Sequence, residues 1–270
     1  MRATVWQMRE IARRVITADR RRWMWRIIMT LVVFSLINML SQNAMKAVFS
    51  ATGANDVEMY AQRVKQMKSE GSTPAPLDGR SALHVVGATA LMYLVVIIIS
   101  GAGQVAVSRV SLRAVRDSDA GWAKDMFAGF KDPLGMLSLG VLLVLAIVLG
   151  LLLFVFPGLV AIYGLGQSWL LKAVHPEWSA ARCMSVSWKL MKGRRFSLFL
   201  LDLSFLPLLL AGILFAVLAT FVALLVLRSG VPLFGELMVL ATLVATMAFG
   251  MYLSAYWYAA RAVFYSLLEE

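Results

Sequence analysis

Six long apolar stretches, joined by connections rich in arginine and lysine, constrain this chain more than anything else in it. Apolar runs of this length belong in a lipid bilayer. Hydrophobic residues make up 60% of the chain, charged residues only 15%, and the mean hydropathy is +0.77. Soluble domains carry roughly 25% charged residues. Backbone amides cannot stay unpaired in hydrocarbon, so spanning segments are helices or a closed barrel. The runs here are continuous and do not alternate with period two, which excludes an outer-membrane barrel. The expected fold is all-α: one polytopic transmembrane bundle over residues 1–270, with no room for a separate soluble domain.

A net charge of +11 would ordinarily raise nucleic acid as a partner. The positive charge flanks apolar spans instead, as in cytoplasmic loops facing anionic lipid, so no nucleic-acid partner is expected. The single Cys183 cannot form an internal disulfide or a CxxC pair.

The chain threads as follows. Residues 2–22 place Val5, Met8, Ile11, Ala12 and Val15 at three- and four-residue steps, with Arg2, Arg9, Arg13 and Arg20 elsewhere on the wheel. This predicts a helix lying on anionic headgroups, with Trp6, Trp23 and Trp25 at belt depth, or one packed on the cytoplasmic side of the bundle. The first apolar run follows a basic stretch, as in a signal peptide. That stretch is long and reads as helix, and SQNAMKA is a poor cleavage site, so an uncleaved first span is expected.

Spans are expected at about 27–49, 82–107, 134–156, 159–174, 196–227 and 237–258, near the ~20 residues that ~30 Å of hydrocarbon requires. A polar loop covers 50–81. Trp122, Met126, Phe127 and Phe130 form an apolar stripe before span 3, and Asp132-Pro133 reads as an N-cap followed by proline in the first turn. Pro157-Gly158 is a tight outer turn, or alternatively a kink in one longer helix. A second internal amphipathic helix, about 176–192, carries Arg182, Ser185, Lys189 and Lys192 on one stripe and Ala181, Met184, Trp188 and Met191 on another, with Gly193 as its C-cap. Span 5 is long enough to tilt or to bend at Pro207. Twice an aromatic-bearing helix leads into a long span, which reads as an internal repeat or as the ordinary way a helix leaves an interface.

Charge tests the topology. With six spans, 20 of the 26 basic residues fall on the side of the two termini. The positive-inside rule then places both termini in the cytoplasm of a bacterial inner membrane.

The stretch Ser179 to Phe205, SAARCMSVSWKLMKGRRFSLFLLDLSF, resembles the signature of a bacterial membrane family catalogued as domain of unknown function 975. The resemblance rests on Ser187, Met191, Lys192, Gly193 and Leu201 to Phe205. REIARR near the N-terminus, GFKDP, Pro157-Gly158 and Phe264-Tyr265 also match. The family has proline-tyrosine in its last span where this chain has Ala255-Tyr256. The resemblance implies a polytopic inner-membrane protein and brings no established activity.

Asp202 is the strongest candidate for chemistry, about six residues or roughly 9 Å into span 5. A carboxylate there needs pairing, protonation or water. It reads first as a structural group paired with Arg194, Arg195 or Arg182. The second reading is an ion, substrate or headgroup site, together with Ser204, whose hydroxyl can bond back to its own helix, and Asn38 of span 1. Arg182, Lys189, Lys192, Arg194 and Arg195 form a basic cluster suited to phosphate-bearing headgroups. Tyr252, Tyr256, Trp257, Tyr258 and Tyr265 read as an interfacial belt. His84 and His175 fall on opposite sides of this topology, and no metal or cofactor is expected. No Ser-His-Asp set, HExxH motif or paired carboxylate occurs, so the chain is expected not to be an enzyme. The expected function is accessory, scaffolding or lipid-interacting, with a membrane-protein partner or a second copy among its partners. The alternative is a small transporter or channel with Asp202 near its path.

Overall fold

With no water to bond, amides in apolar runs of this length close their hydrogen bonds internally. The computed structural model describes residues 5–18, 22–51, 79–116, 122–228 and 232–269, and among these every regular element is a helix. They are α1 (Val5–Ala18), α2 (Arg22–Ala51), α3 (Gly79–Val115), α4 (Trp122–Met126), a 3-10 turn (Ala128–Lys131), α5 (Pro133–Leu153), α6 (Val155–Gly164), α7 (Ser168–Val174), α8 (Ala180–Leu190), α9 (Arg195–Leu203), α10 (Leu206–Arg228) and α11 (Pro232–Glu269).

Three antiparallel hairpins organise them: α2 with α3, α5 with α6, and α10 with α11. The glycines show how closely the arms approach. Gly150 faces Gly158 across the second hairpin, and Gly212 faces the Phe249 ring across the third. All three hairpins root in one packed base. Its core gathers Met8 and Ala12 of α1, Ile27 of α2, Val107 and Val110 of α3, Leu139 and Leu143 of α5, Cys183 of α8, Leu198 and Leu201 of α9, and Ala255 to Tyr265 of α11. Away from the base the apolar side chains face outward, as at Leu151 to Phe156, Leu214, Phe221, Leu240 and Met247. Apolar surface of that extent is stable against hydrocarbon and not against water. Five stretches are long and apolar enough to cross a membrane: Trp23–Ala44, Ala90–Val115, Pro133–Leu153, Arg195–Arg228 and Phe234–Glu269. The chain is a helical membrane protein.

The structure departs from the sequence reading at several joints. The fourth expected span, 159–174, is two short helices, α6 and α7, separated at Leu165 to Gln167. Leu165 and Gln167 both lie at φ −99°, ψ 1°, which ends one helix and opens the next. The turn of the second hairpin falls at Phe154, extended at φ −169°, ψ 158°, three residues before Pro157-Gly158. Pro157 sits instead in the first turn of α6, where a missing N–H breaks no helical bond. Pro207 repeats that logic. α9 ends at Leu203, α10 starts at Leu206, and the expected single span is interrupted just ahead of the proline. The Arg9 guanidinium donates to the Ser204 carbonyl at this break, at 3.1 Å.

Other readings hold locally. Asp132 caps α5, its side chain accepting from the Gly135 amide at 2.9 Å, with Pro133 as the first helical residue. Gly193 has φ +78°, a conformation glycine adopts without strain. The apolar stripe Trp122, Met126, Phe127 and Phe130 falls on α4 and the 3-10 turn that follows it, with Phe130 stacked on Phe34 at 5.8 Å. α1 buries Met8 and Ala12 against α9 and α11, while Trp6 is exposed. On α8 the buried face is Ala180, Cys183 and Ser187; of the expected apolar stripe Met191, just past the helix, is buried, Met184 is half-buried, and Ala181 and Trp188 are exposed. Small side chains let α8 approach α5 closely, whereas the Trp188 ring covers Gly164 from the side. The central part of the polar loop, 52–78, and residues 229–231 of the last outer turn lie outside the described residues.

Candidate functional site

Helical spacing gives α9 one face carrying Arg195, Phe199 and Asp202, and α11 one face carrying Ser254, Trp257 and Arg261. Where the base meets the apolar hairpins, these faces meet Tyr163 of α6 and Leu206 of α10. Between them lies a cleft of about 400 Å³ with largely apolar walls. Asp202 lies at its edge. One carboxylate oxygen accepts from Arg261 Nη2 at 2.6 Å. The other accepts from Trp257 Nε1 at 2.8 Å and from Arg261 Nε at 3.4 Å. The guanidinium lies over the Trp257 ring, 4.0 Å from its centroid. Asp202 and Arg261 side chains are 18% and 19% exposed, so water screens the pair only in part.

Asp202 is therefore paired, but not with the arginines nearest in sequence. Those three are engaged elsewhere. Arg182 lies over the Trp178 ring, Arg194 donates to the Leu267 carbonyl, and Arg195 lies over the Trp188 ring. Ser204 donates to the Leu201 carbonyl at 2.6 Å, turned back on its own helix. Asn38 does not line the cleft; its Oδ1 is buried in α2 without a hydrogen-bond partner. The basic cluster divides: Arg182, Lys189, Lys192 and Arg194 are exposed, while Arg195 is half-buried.

The aromatic run of α11 is mostly not a belt. Tyr252 is exposed, but Tyr256 donates to the Arg9 carbonyl, Trp257 to Asp202 and Tyr258 to Gln104 Oε1, and Tyr265 is buried in the core. A helix that continues past the membrane into a packed base turns its aromatics inward.

Comparison with known proteins adds no relative. No family model, curated protein or solved structure matches the chain.

Three ion pairs that fix the base escaped the sequence reading. Lys172 is 2% exposed, and its ammonium donates to Asp132 Oδ2 at 2.9 Å and to the Pro176 and Trp178 carbonyls, each at 2.8 Å. This clamp returns α7 to the root of α5. Arg113 and Arg109 of α3 hold the buried Asp125 of α4. A signal for Arg261 did exist, since it is the sole basic residue after Arg228 and lies four residues beyond Trp257. Among the described residues no three His, Cys, Asp or Glu side chains gather to hold a metal. His175 stacks on Trp178 at 3.9 Å. Burial pushes the Cys183 thiol above its ordinary value, which keeps it a thiol at neutral pH.

Gly164 is the tightest joint near the site. Its carbonyl accepts from the buried Ser187 hydroxyl at 3.0 Å, and a Cβ there would lie 2.6 Å from the Trp188 ring. Gly164→Ala is expected to destabilise the protein by about 1–2 kcal/mol through overpacking. Thermal unfolding in detergent checks it. A midpoint equal to the wild type would mean that Trp188 moves aside freely.

Proposed function

We propose that this is a non-catalytic protein of the bacterial inner membrane, a scaffold or accessory subunit whose base lies on the cytoplasmic face and binds anionic lipid headgroups. One observation carries the reading: the exposed cations Arg182, Lys189 and Lys192 lie on α8 and just past its end, at the base from which the apolar hairpins rise. Phosphate headgroups occupy that level in a bilayer, and each nearby Lys or Arg contributes about 1 kcal/mol to their attraction. The resemblance of residues 179–205 to the domain of unknown function 975 family supports the membrane placement and gives no activity.

The reading takes both termini as cytoplasmic. The first and third hairpins each cross and return. α5 is 21 residues long, about 31 Å, and its return arm is α6 with α7, so the second hairpin ends on the side it entered. The Asp132–Lys172 clamp supports that return. The even number of passages then keeps the basic base on one side.

The test adds phosphatidylglycerol or phosphatidylcholine to protein purified in an uncharged detergent. Phosphatidylglycerol is expected to raise the unfolding midpoint of the wild type and not that of an Arg182→Glu, Lys189→Glu, Lys192→Glu triple variant. Equal responses to the two lipids, or an unchanged response in the variant, would sink the proposal.

A second reading, a small transporter, draws on the cleft beside Asp202. It requires solute flux in proteoliposomes that falls when the cleft is filled by Ser254→Trp.

A further inference from the structure

Behind the cleft lies a second cavity. It is narrow and partly open, about 50 Å³, and lined by Gln104 and Ser108 of α3, Gln167 of the α6–α7 joint, and Trp257, Tyr258 and Arg261 of α11, among others. Trp257 lines both cavities, and Arg261 lines the inner one while bonding the carboxylate that lines the outer one. These two side chains form the partition between a chamber and the cleft.

The chamber is more polar than the cleft, and three of its side chains bring N–H donors to it. Gln167 is 1% exposed, and its Nε2 has no hydrogen-bond partner. The Tyr258 hydroxyl donates to Gln104 Oε1 at 3.0 Å, which orients the amide and leaves both N–H groups of its NH2 to donate. Arg261 gives Nε and Nη2 to Asp202, which leaves Nη1 for the chamber. A buried donor with no acceptor is unfavourable, and such groups in native proteins point to an occupant. A water molecule requires at least ~10–15 Å³, so the space admits several waters or one small anion. Each water brings two donors of its own into a donor-rich space. An anion brings none and accepts from all sides.

We propose that this chamber binds a small monovalent anion, of halide to formate size, held by the N–H groups of Gln167, Gln104 and Arg261. Because Arg261 is shared, the anion competes with Asp202 for the guanidinium. The site is separate from the exposed rim, and each can fail without the other.

The probe is chloride, titrated into lipid-free protein in an uncharged detergent at constant ionic strength set by gluconate, which is too large for the chamber. A ligand that binds only the folded state raises its stability with concentration. The wild-type midpoint is expected to rise saturably by a few degrees. Gln167→Leu conserves volume and removes a buried unpaired donor, so it is expected to fold and to lose the rise. Asp202→Asn frees Arg261 from a full carboxylate and is expected to half-saturate at severalfold lower chloride. Crystals of the wild type grown in bromide give a direct readout, an anomalous peak between Gln167 and Arg261. A midpoint that ignores chloride, a rise kept in Gln167→Leu, or a chamber holding water alone overturns the proposal. Unchanged half-saturation in Asp202→Asn overturns the shared guanidinium.

Discussion

Lys172→Met is expected to destabilise the protein by about 2–4 kcal/mol, through the carbonyls of Pro176 and Trp178 that lose their donor. The methionine keeps most of the volume, so the loss reports hydrogen bonds and charge rather than a cavity. Asp132 is 44% exposed and rehydrates when its partner goes, which keeps the cost below that of a fully buried orphan charge. The pH dependence separates these contributions. The hydrogen bond from Lys172 holds the Asp132 carboxyl below the usual carboxylate range, opposed by burial and aided by the Gly135 amide. A depressed folded-state pKa gives stability that is present above the unfolded value of about 3.9 and is lost as pH falls through the folded one. The gap between wild type and Lys172→Met is therefore widest near neutrality and narrows below about pH 4. Chemical unfolding at pH 7 and at pH 3.5 checks both parts. A gap that does not change with pH would assign the whole effect to the two carbonyls.

Lys172 also shows where sequence reasoning reached its limit. Apolar runs and flanking cations predict membrane helices because hydrophobicity and charge act residue by residue, and those predictions correspond to hairpin arms here. The Asp132 cap and the Gly193 stop are local chemistry and were equally legible. The continuation of α3 past Val107 and of α11 past Tyr258 was not. Arg109, Arg113 and Arg261 read as loop cations by composition, yet each is used by another helix: Asp125 of α4 takes the first two and Asp202 of α9 the third. Charge counting locates a cation relative to the bilayer and says nothing about its partner. The apolar stripe on α8 was legible only in part, at Met191, for a related reason. Burial there follows small side chains that admit a neighbouring helix, while hydrophobicity favoured Trp188. The inner chamber has no sequence signature, because Gln104 and Arg261 come from two separate helices and Gln167 from the joint between two others.

The Asp202–Arg261 pair is where the structural and functional readings of that carboxylate separate. Asp202→Leu leaves a guanidinium and the Trp257 N–H without an acceptor. It is expected to destabilise by about 2–4 kcal/mol, somewhat below a fully buried pair because both groups retain some exposure. Arg261→Met leaves the carboxylate with Trp257 alone and is expected to cost a similar amount. Removing both partners leaves no orphan charge, so the double variant Asp202→Leu, Arg261→Met should lose less than the sum of the two. A coupling energy of about 1–3 kcal/mol is expected from the cycle. Coupling near zero would mean that the carboxylate and the guanidinium do not hold α9 to α11. Asp202 would then stand at the cleft without a structural reason, and a carboxylate kept at that depth for no packing benefit is the signature of a working ion or proton site. Large coupling ties Asp202 to Arg261 as a strut of the base and leaves the chemistry of this region to the cleft walls and the chamber behind them.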